Sequence, residues 1–111
     1  MKQLVAIIIC TAALVEGLPS SAWAMPEFTL RIKEHKFTPT VLHIPANTKV
    51  RLIIKNLDAT PEEFESEELH REKVIQGHGQ GVVFIGPLAP GTYSFIGEFH
   101  EATARGQIVV K

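Results

Sequence analysis

The chain has 111 residues, with 11 Lys and Arg against 12 Asp and Glu and a formal net charge of −1. That length supplies one domain with a modest core, and the balanced charge excludes the basic surface that nucleic acid demands. A single cysteine, Cys10, excludes an internal disulfide.

The first segment is a leader. Lys2 precedes an apolar run from Leu4 to Val15, and a small-residue stretch follows, ending Ala22-Trp23-Ala24. The run is too short to span a bilayer comfortably, and the A-x-A ending predicts a secretory signal peptide over 1–24, cut after Ala24. Ile8 and Ile9 precede Cys10 where a lipoprotein needs small residues, so no lipid anchor is expected. Residues 25–111 then form an exported domain that is not membrane-embedded, destined for a bacterial periplasm. It has no thiol, Met25 is its only methionine, and its core must carry its stability.

Short strands separated by turn residues follow. Phe28, Leu30 and Ile32 alternate with Thr29, Arg31 and Lys33, which predicts a strand with one wet face. Phe37-Thr38-Pro39 and Pro45-Ala46-Asn47 are breaks around a short strand, Val41–Ile44, and Val50, Leu52 and Ile54 alternate with Arg51 and Lys55. Val82–Ile85 comes after the glycines of 77–81, and Pro87–Gly91 turns into a strand in which Tyr93, Phe95, Gly97 and Phe99 share one face. A polar loop from His100 to Gly106 leads to Gln107–Val110. This spacing, with no amphipathic helix, predicts an all-β antiparallel sandwich with Tyr93 and Phe95 in its core.

The residues that carry chemistry lie in two places. Five of the seven residues Glu62–Glu68 are carboxylates, which repel one another unless something positive sits among them. In a strand with Phe64 facing the core, Glu63 and Glu65 share the opposite face, and Glu98, out of phase with Phe95 and Phe99, also points away from the core. Carboxylates plus imidazole form a ligand set that suits Fe or Cu(II). The competing reading makes the Glu run a solvated edge that discourages sheet-to-sheet aggregation and His100 an ordinary loop residue. His35 and His43 read as exposed surface residues. His70 and His78 flank Val74-Ile75 as candidates for a second ion, and Arg71 and Lys73 are expected to pair with nearby glutamates at little gain. Ser66 and Ser94 lie in no nucleophile motif, which argues against a hydrolase.

Gly91, Tyr93, Phe95 and His100 resemble the C-terminal end of a cupredoxin, where a G-x-Y-x-F-x-C strand precedes a C-x-x-H-x-x-x-x-M loop. Gly97 stands at the thiolate position and Arg105 at the axial methionine position. Glu63-Phe64-Glu65, Gly86–Tyr93 and Gly97–His100 together are similar to segments of periplasmic cupredoxin-like proteins associated with bacterial iron uptake. The resemblance implies a cupredoxin-like Greek-key antiparallel β-sandwich in which the strands carrying these segments are neighbours. Glu63, Glu65, Glu98 and His100 would then converge on an open, exchangeable copper or iron ion. It further implies a membrane iron permease or a periplasmic iron-binding protein as partner, and no catalysis beyond an accessory part in iron oxidation. A blue-copper electron carrier is disfavoured, because Cys and Met ligands are missing. The alternative is a metal-free sandwich that docks a partner through its acidic patch.

Overall fold

The computed structural model of the protein describes residues 24–111, so the leader expected over 1–24 falls, up to Trp23, outside the described residues. The strands are β1 (Glu27–Lys33), β2 (Lys36–Thr38), β3 (Val41–Ile44), β4 (Val50–Asn56), β5 (Glu62–Ser66), β6 (Arg71–Ile75), β7 (Gln80–Ile85), β8 (Gly91–Gly97) and β9 (Arg105–Val110). A 3-10 turn, Glu98–His100, joins β8 to the loop before β9. Among the described residues no helix is long and apolar enough to cross a membrane.

Two sheets form. One has the order β2-β1-β4-β7 and the other β3-β9-β8-β5-β6. The expected all-β sandwich is present, with mixed rather than purely antiparallel sheets: β1 runs parallel to β4 and β3 parallel to β9, each beside antiparallel neighbours. Period-2 burial explains the core. Leu30 and Ile32 from β1, Leu52 and Ile54 from β4, and Ile108 and Val110 from β9 are all buried on inward faces. At the centre Phe95 meets Phe37 edge-on with ring centroids 4.9 Å apart and lies 5.2 Å from Phe64, within the range where aromatic pairs add to simple burial.

Some expectations change. Tyr93 is only partly buried against the core, with its hydroxyl donating to the Ala89 carbonyl at 2.8 Å. Phe99 is 49% exposed, because β8 ends at Gly97 and the 3-10 turn breaks the alternation before Phe99. The break read at Phe37-Thr38-Pro39 begins with strand β2, and β6 was not expected as a strand at all. Arg71 does not pair with a glutamate. Its guanidinium donates to the carbonyls of Phe84 (2.9 Å) and His70 (3.0 Å) instead.

Candidate metal centre

Strand β5 separates its carboxylates by parity. Phe64 points inward, so Glu62 and Ser66 point inward with it, while Glu63 and Glu65 are half-buried on the outer face. The neighbouring strands decide what meets each side. β6 runs antiparallel to β5 and puts Glu72 directly opposite Glu65, while β8 pairs Phe64 with Gly97 and Glu65 with Ile96. The pairing of β5 with β8 stops there: Ser66 Oγ donates to the Ser94 carbonyl at 2.7 Å, and Ser94 N–H donates to Glu68 Oε1 at 2.8 Å.

Glu98, just past Gly97, joins the outer carboxylates. Hydrogen bonding to Glu98 and then to Glu72, with added desolvation and like-charge repulsion, pushes the Glu63 carboxyl up to about 7. Desolvation, followed by Glu98, Glu72 and Glu67, raises Glu65 as well. Three of the four residues selected from the sequence, Glu63, Glu65 and Glu98, are therefore brought together, with Glu72 as a fourth carboxylate.

His100 is not among them. Its Nδ1 lies 2.6 Å from Glu62 Oε2, and a deprotonated carboxylate there requires Nδ1–H as the donor. Glu62 is 1% exposed, and its other oxygen, Oε1, accepts the backbone N–H of Glu63 at 3.0 Å and of Phe99 at 2.9 Å. All this matches the rule that a buried charge must be fully hydrogen-bonded. As the side chains stand, no set of three His, Cys, Asp or Glu among the described residues is arranged to hold a metal ion.

His35 was expected on the surface, yet it stacks on His100, with ring centroids 3.5 Å apart and planes 12° from parallel. The two-residue turn between β1 and β2 delivers it there. Glu34 and His35 adopt φ of 53° and 59°, the left-handed backbone that a tight hairpin needs and that non-glycine residues resist. Asp58 holds the turn, because its two carboxylate oxygens accept Glu34 N–H at 2.8 Å and His35 N–H at 3.0 Å. Desolvation pushes the Asp58 carboxyl up, but those two donors and the nearby imidazoles of His35 and His100 outweigh it and hold the group below its ordinary value. Thr103 Oγ1 donates to the His35 carbonyl at 2.7 Å and ties the loop after His100 to the same turn. Asp58 is fixed in turn by Asn56, whose Oδ1 accepts Asp58 N–H at 3.0 Å.

The thiolate centre that the fold would suggest does not fit. The only cysteine of the chain is Cys10, and a Cβ on Gly97 would lie 2.7 Å from Ala104 Cβ, 2.7 Å from Glu62 Cδ and 2.9 Å from Glu62 Oε2. The Glu62 carboxylate and the Ala104 methyl occupy the space that a side chain at 97 would need. His43 is exposed on β3 as expected. His70 and His78 sit exposed in separate turns with φ of 55° and 57° and join no ligand cluster among the described residues.

Parity and charge made the outer carboxylates visible from sequence. Glu62, Asp58 and the role of His35 were missed. The parity of Glu62 with Phe64 was the one signal that placed it inside.

Comparison with known proteins agrees with this architecture. Residues 4–110 match the family described as Cupredoxin-like domain. A protein of Rickettsia prowazekii (strain Madrid E) described as uncharacterized is 49% identical over 84 residues, covering 76% of this chain and 67% of that protein. Among solved structures, auracyanin A, a "blue" copper protein from Chloroflexus aurantiacus, is similar with a TM-score of 0.66 at 17% identity, covering 79% of this chain and 100% of the other. The metal binding domain of the Streptococcus pneumoniae D39 Cu(I) exporting P-type ATPase CopA, with Cu(I), gives 0.65 at 13%, covering 77% and 84%. With the family match spanning nearly its whole length, the chain belongs to the cupredoxin-like domain family.

Proposed function

We propose that this chain is a periplasmic carrier of an exchangeable copper or iron ion that assists a membrane iron-uptake system, with Glu63, Glu65 and Glu98 as the ligands. The observation that carries the reading is the placement of Glu63 and Glu65 on one face of β5 with Glu72 directly opposite Glu65, a crowding that, with Glu98, raises the Glu63 carboxyl to about 7. Such a group exchanges a shared proton for a cation at little cost, because the cation removes the mutual repulsion. All-oxygen donors favour hard or borderline ions and leave the site open for release. The copper named in the descriptions of structurally similar proteins supports the same class of cargo.

Calorimetric titration of the purified protein with Cu(II), and with Fe(II) under anaerobic conditions, tests this. Saturable binding that weakens in Glu98→Gln and Glu65→Gln is expected. No uptake of either ion, or equal titrations in wild type and both variants, would overturn it.

One observation favours the alternative of a metal-free docking patch. Among the described residues the salt bridges are Arg51–Glu27 and His100–Glu62, which leaves the outer glutamates of β5 and β6 without a cationic partner. The titration separates the readings, since a docking patch has no need to bind the ion.

A further inference from the structure

We infer that the outer face of the four-stranded sheet is a docking surface for an anionic lipid bilayer, on which the protein adsorbs with its acidic sheet turned to solution. This goes beyond the carrier reading and holds or fails independently of any metal ion.

The formal net charge of −1 is a cancellation between two unlike faces. Leu30, Ile32, Leu52 and Ile54 point into the core, so the alternate residues of β1 and β4 point outward, as do Lys36 and Thr38 beside the buried Phe37 of β2. This outer face carries Arg31, Lys33, Lys36, Arg51 and Lys55, and Lys49 joins them with its Nζ 5.4 Å from the Phe84 ring centroid. The register places like charges directly opposite one another, Arg31 beside Lys55 and Lys33 beside Lys36. Such cross-strand pairs are unfavourable in isolation and are relieved by a surface of opposite charge. Glu27 is the one carboxylate on these strands, and it bridges Arg51 at 3.6 Å. Glu34 lies beyond them, in the turn from β1 to β2.

Apolar side chains lie among the cations. β7 sets Phe84 opposite Arg51 and Val82 opposite Ile53, and Phe84 is 45% exposed. Lys and Arg around an exposed aromatic ring suit the headgroup layer, where the cations meet phosphate and the ring reaches the acyl boundary. A protein partner is a poorer fit, because its anchoring side chains need pockets. The cavities of about 440, 370 and 560 Å³ are lined by the five-stranded sheet and its loops, and none of their lining residues belongs to the basic face. Mobile headgroups need no pocket, since they rearrange around fixed cations. A second copy is also a poorer fit. The crowded Glu63, Glu65 and Glu72 lie on the opposite sheet, so basic-to-acidic docking would add copies in one direction without closing. A bilayer repels that acidic face while attracting the basic one, which gives adsorption a single orientation.

Co-sedimentation with vesicles tests this, using equal parts of phosphatidylglycerol and phosphatidylcholine against phosphatidylcholine alone. Wild type is expected to bind only the anionic vesicles, and to leave them at about 1 M salt, where the Debye length is about 3 Å. The triple variant Lys33→Gln, Lys36→Gln, Lys49→Gln removes three cations from the face. At about fivefold for each, its partitioning should fall about 100-fold. The triple variant Lys73→Gln, Arg105→Gln, Lys111→Gln removes the same charge from elsewhere and should stay close to wild type. All six side chains are exposed, so neither set disturbs the core. Phe84→Trp should shift its fluorescence to the blue on anionic vesicles. Residues 1–24, if retained, are common to every variant and would hold to both lipids alike. Equal losses in the two triple variants, no preference for the anionic vesicles, or an unshifted Phe84→Trp emission in the bound protein would overturn the inference. So would a protein that leaves lipid alone and gains mass with concentration in sedimentation velocity, which would assign the face to a second copy.

Discussion

The carboxyl carbon of Glu62 lies 2.7 Å from the point at which a side chain on Gly97 would begin. Glu62 is tethered through both oxygens, and Ala104 closes the space from the other side at 2.7 Å, so neither neighbour can yield cheaply. Gly97→Ala is expected to lose about 1–3 kcal/mol, the usual cost of overpacking. Thermal unfolding followed by circular dichroism measures it, and an unchanged midpoint would show that Glu62 can leave its place freely.

Adjacent residues of β8 should differ sharply. Phe95 is 1% exposed and sits against Phe37 and Phe64, so Phe95→Ala is expected to cost about 3–5 kcal/mol. Ser94 is exposed and bonds only through its backbone, so Ser94→Ala should stay within about 0.5 kcal/mol. Denaturant unfolding of the two variants checks the facing of the strand directly.

Stability should fall as pH rises from 4.5 through about 7. The Glu63 carboxyl is raised in the folded protein from 4.5 to about 7, so its ionisation is harder folded than unfolded, and the penalty enters as that carboxyl loses its proton. Glu63→Gln should flatten the decline, and saturating Cu(II) should cancel it if the carboxylates hold the ion. Asp58 acts in the opposite sense, because a depressed carboxyl contributes stability above 3.8 that is lost on further acidification. Melting temperatures across pH 3–8 for wild type and Glu63→Gln would show both limbs.

The hairpin of Glu34 and His35 should respond in opposite directions to two changes. Asp58→Ala leaves two backbone donors of a left-handed turn without their acceptor, at an expected cost of about 1–3 kcal/mol. Glu34→Gly relieves the unfavourable φ and keeps the backbone N–H, so a gain of about 1 kcal/mol is expected. The two unfolding midpoints, measured side by side, should move apart.

The sequence made the alternating core legible, since Leu30, Ile32, Leu52, Ile54 and Phe95 sit on the faces their periodicity assigns. It hid β2, which has three residues, and β6, where four of five residues are exposed, because a pattern needs length or a dry face to be seen. It could not show that β1 pairs with β4 or β3 with β9, or that those pairs are parallel, since period-2 patterning carries no strand direction. Within the site, parity put Glu63 and Glu65 outward, but the inward side of the same alternation, Glu62, went unread. What makes a buried glutamate tolerable is a histidine 38 positions away, and no local pattern announces it. His35 was misplaced for a similar reason: the acceptor that holds its turn, Asp58, is 23 positions distant.

The placement of β9 between β3 and β8 governs when the molecule can come together. β3 finds its sheet partner only once Arg105–Val110 has been synthesised, and β1 must wait for β4 before either is interior. The hairpins β1–β2, β5–β6 and β8–β9 can form from neighbouring segments, but the pairings β1–β4, β3–β9, β4–β7 and β5–β8 that join them into sheets cannot. A topology dominated by such distant pairings folds on the slow, millisecond-to-second side of the range for small domains. A ribosome-bound or truncated chain ending before Arg105 would leave Leu42, Ile44 and Phe95 without the strand that covers them, and would persist as an unfolded, sticky intermediate.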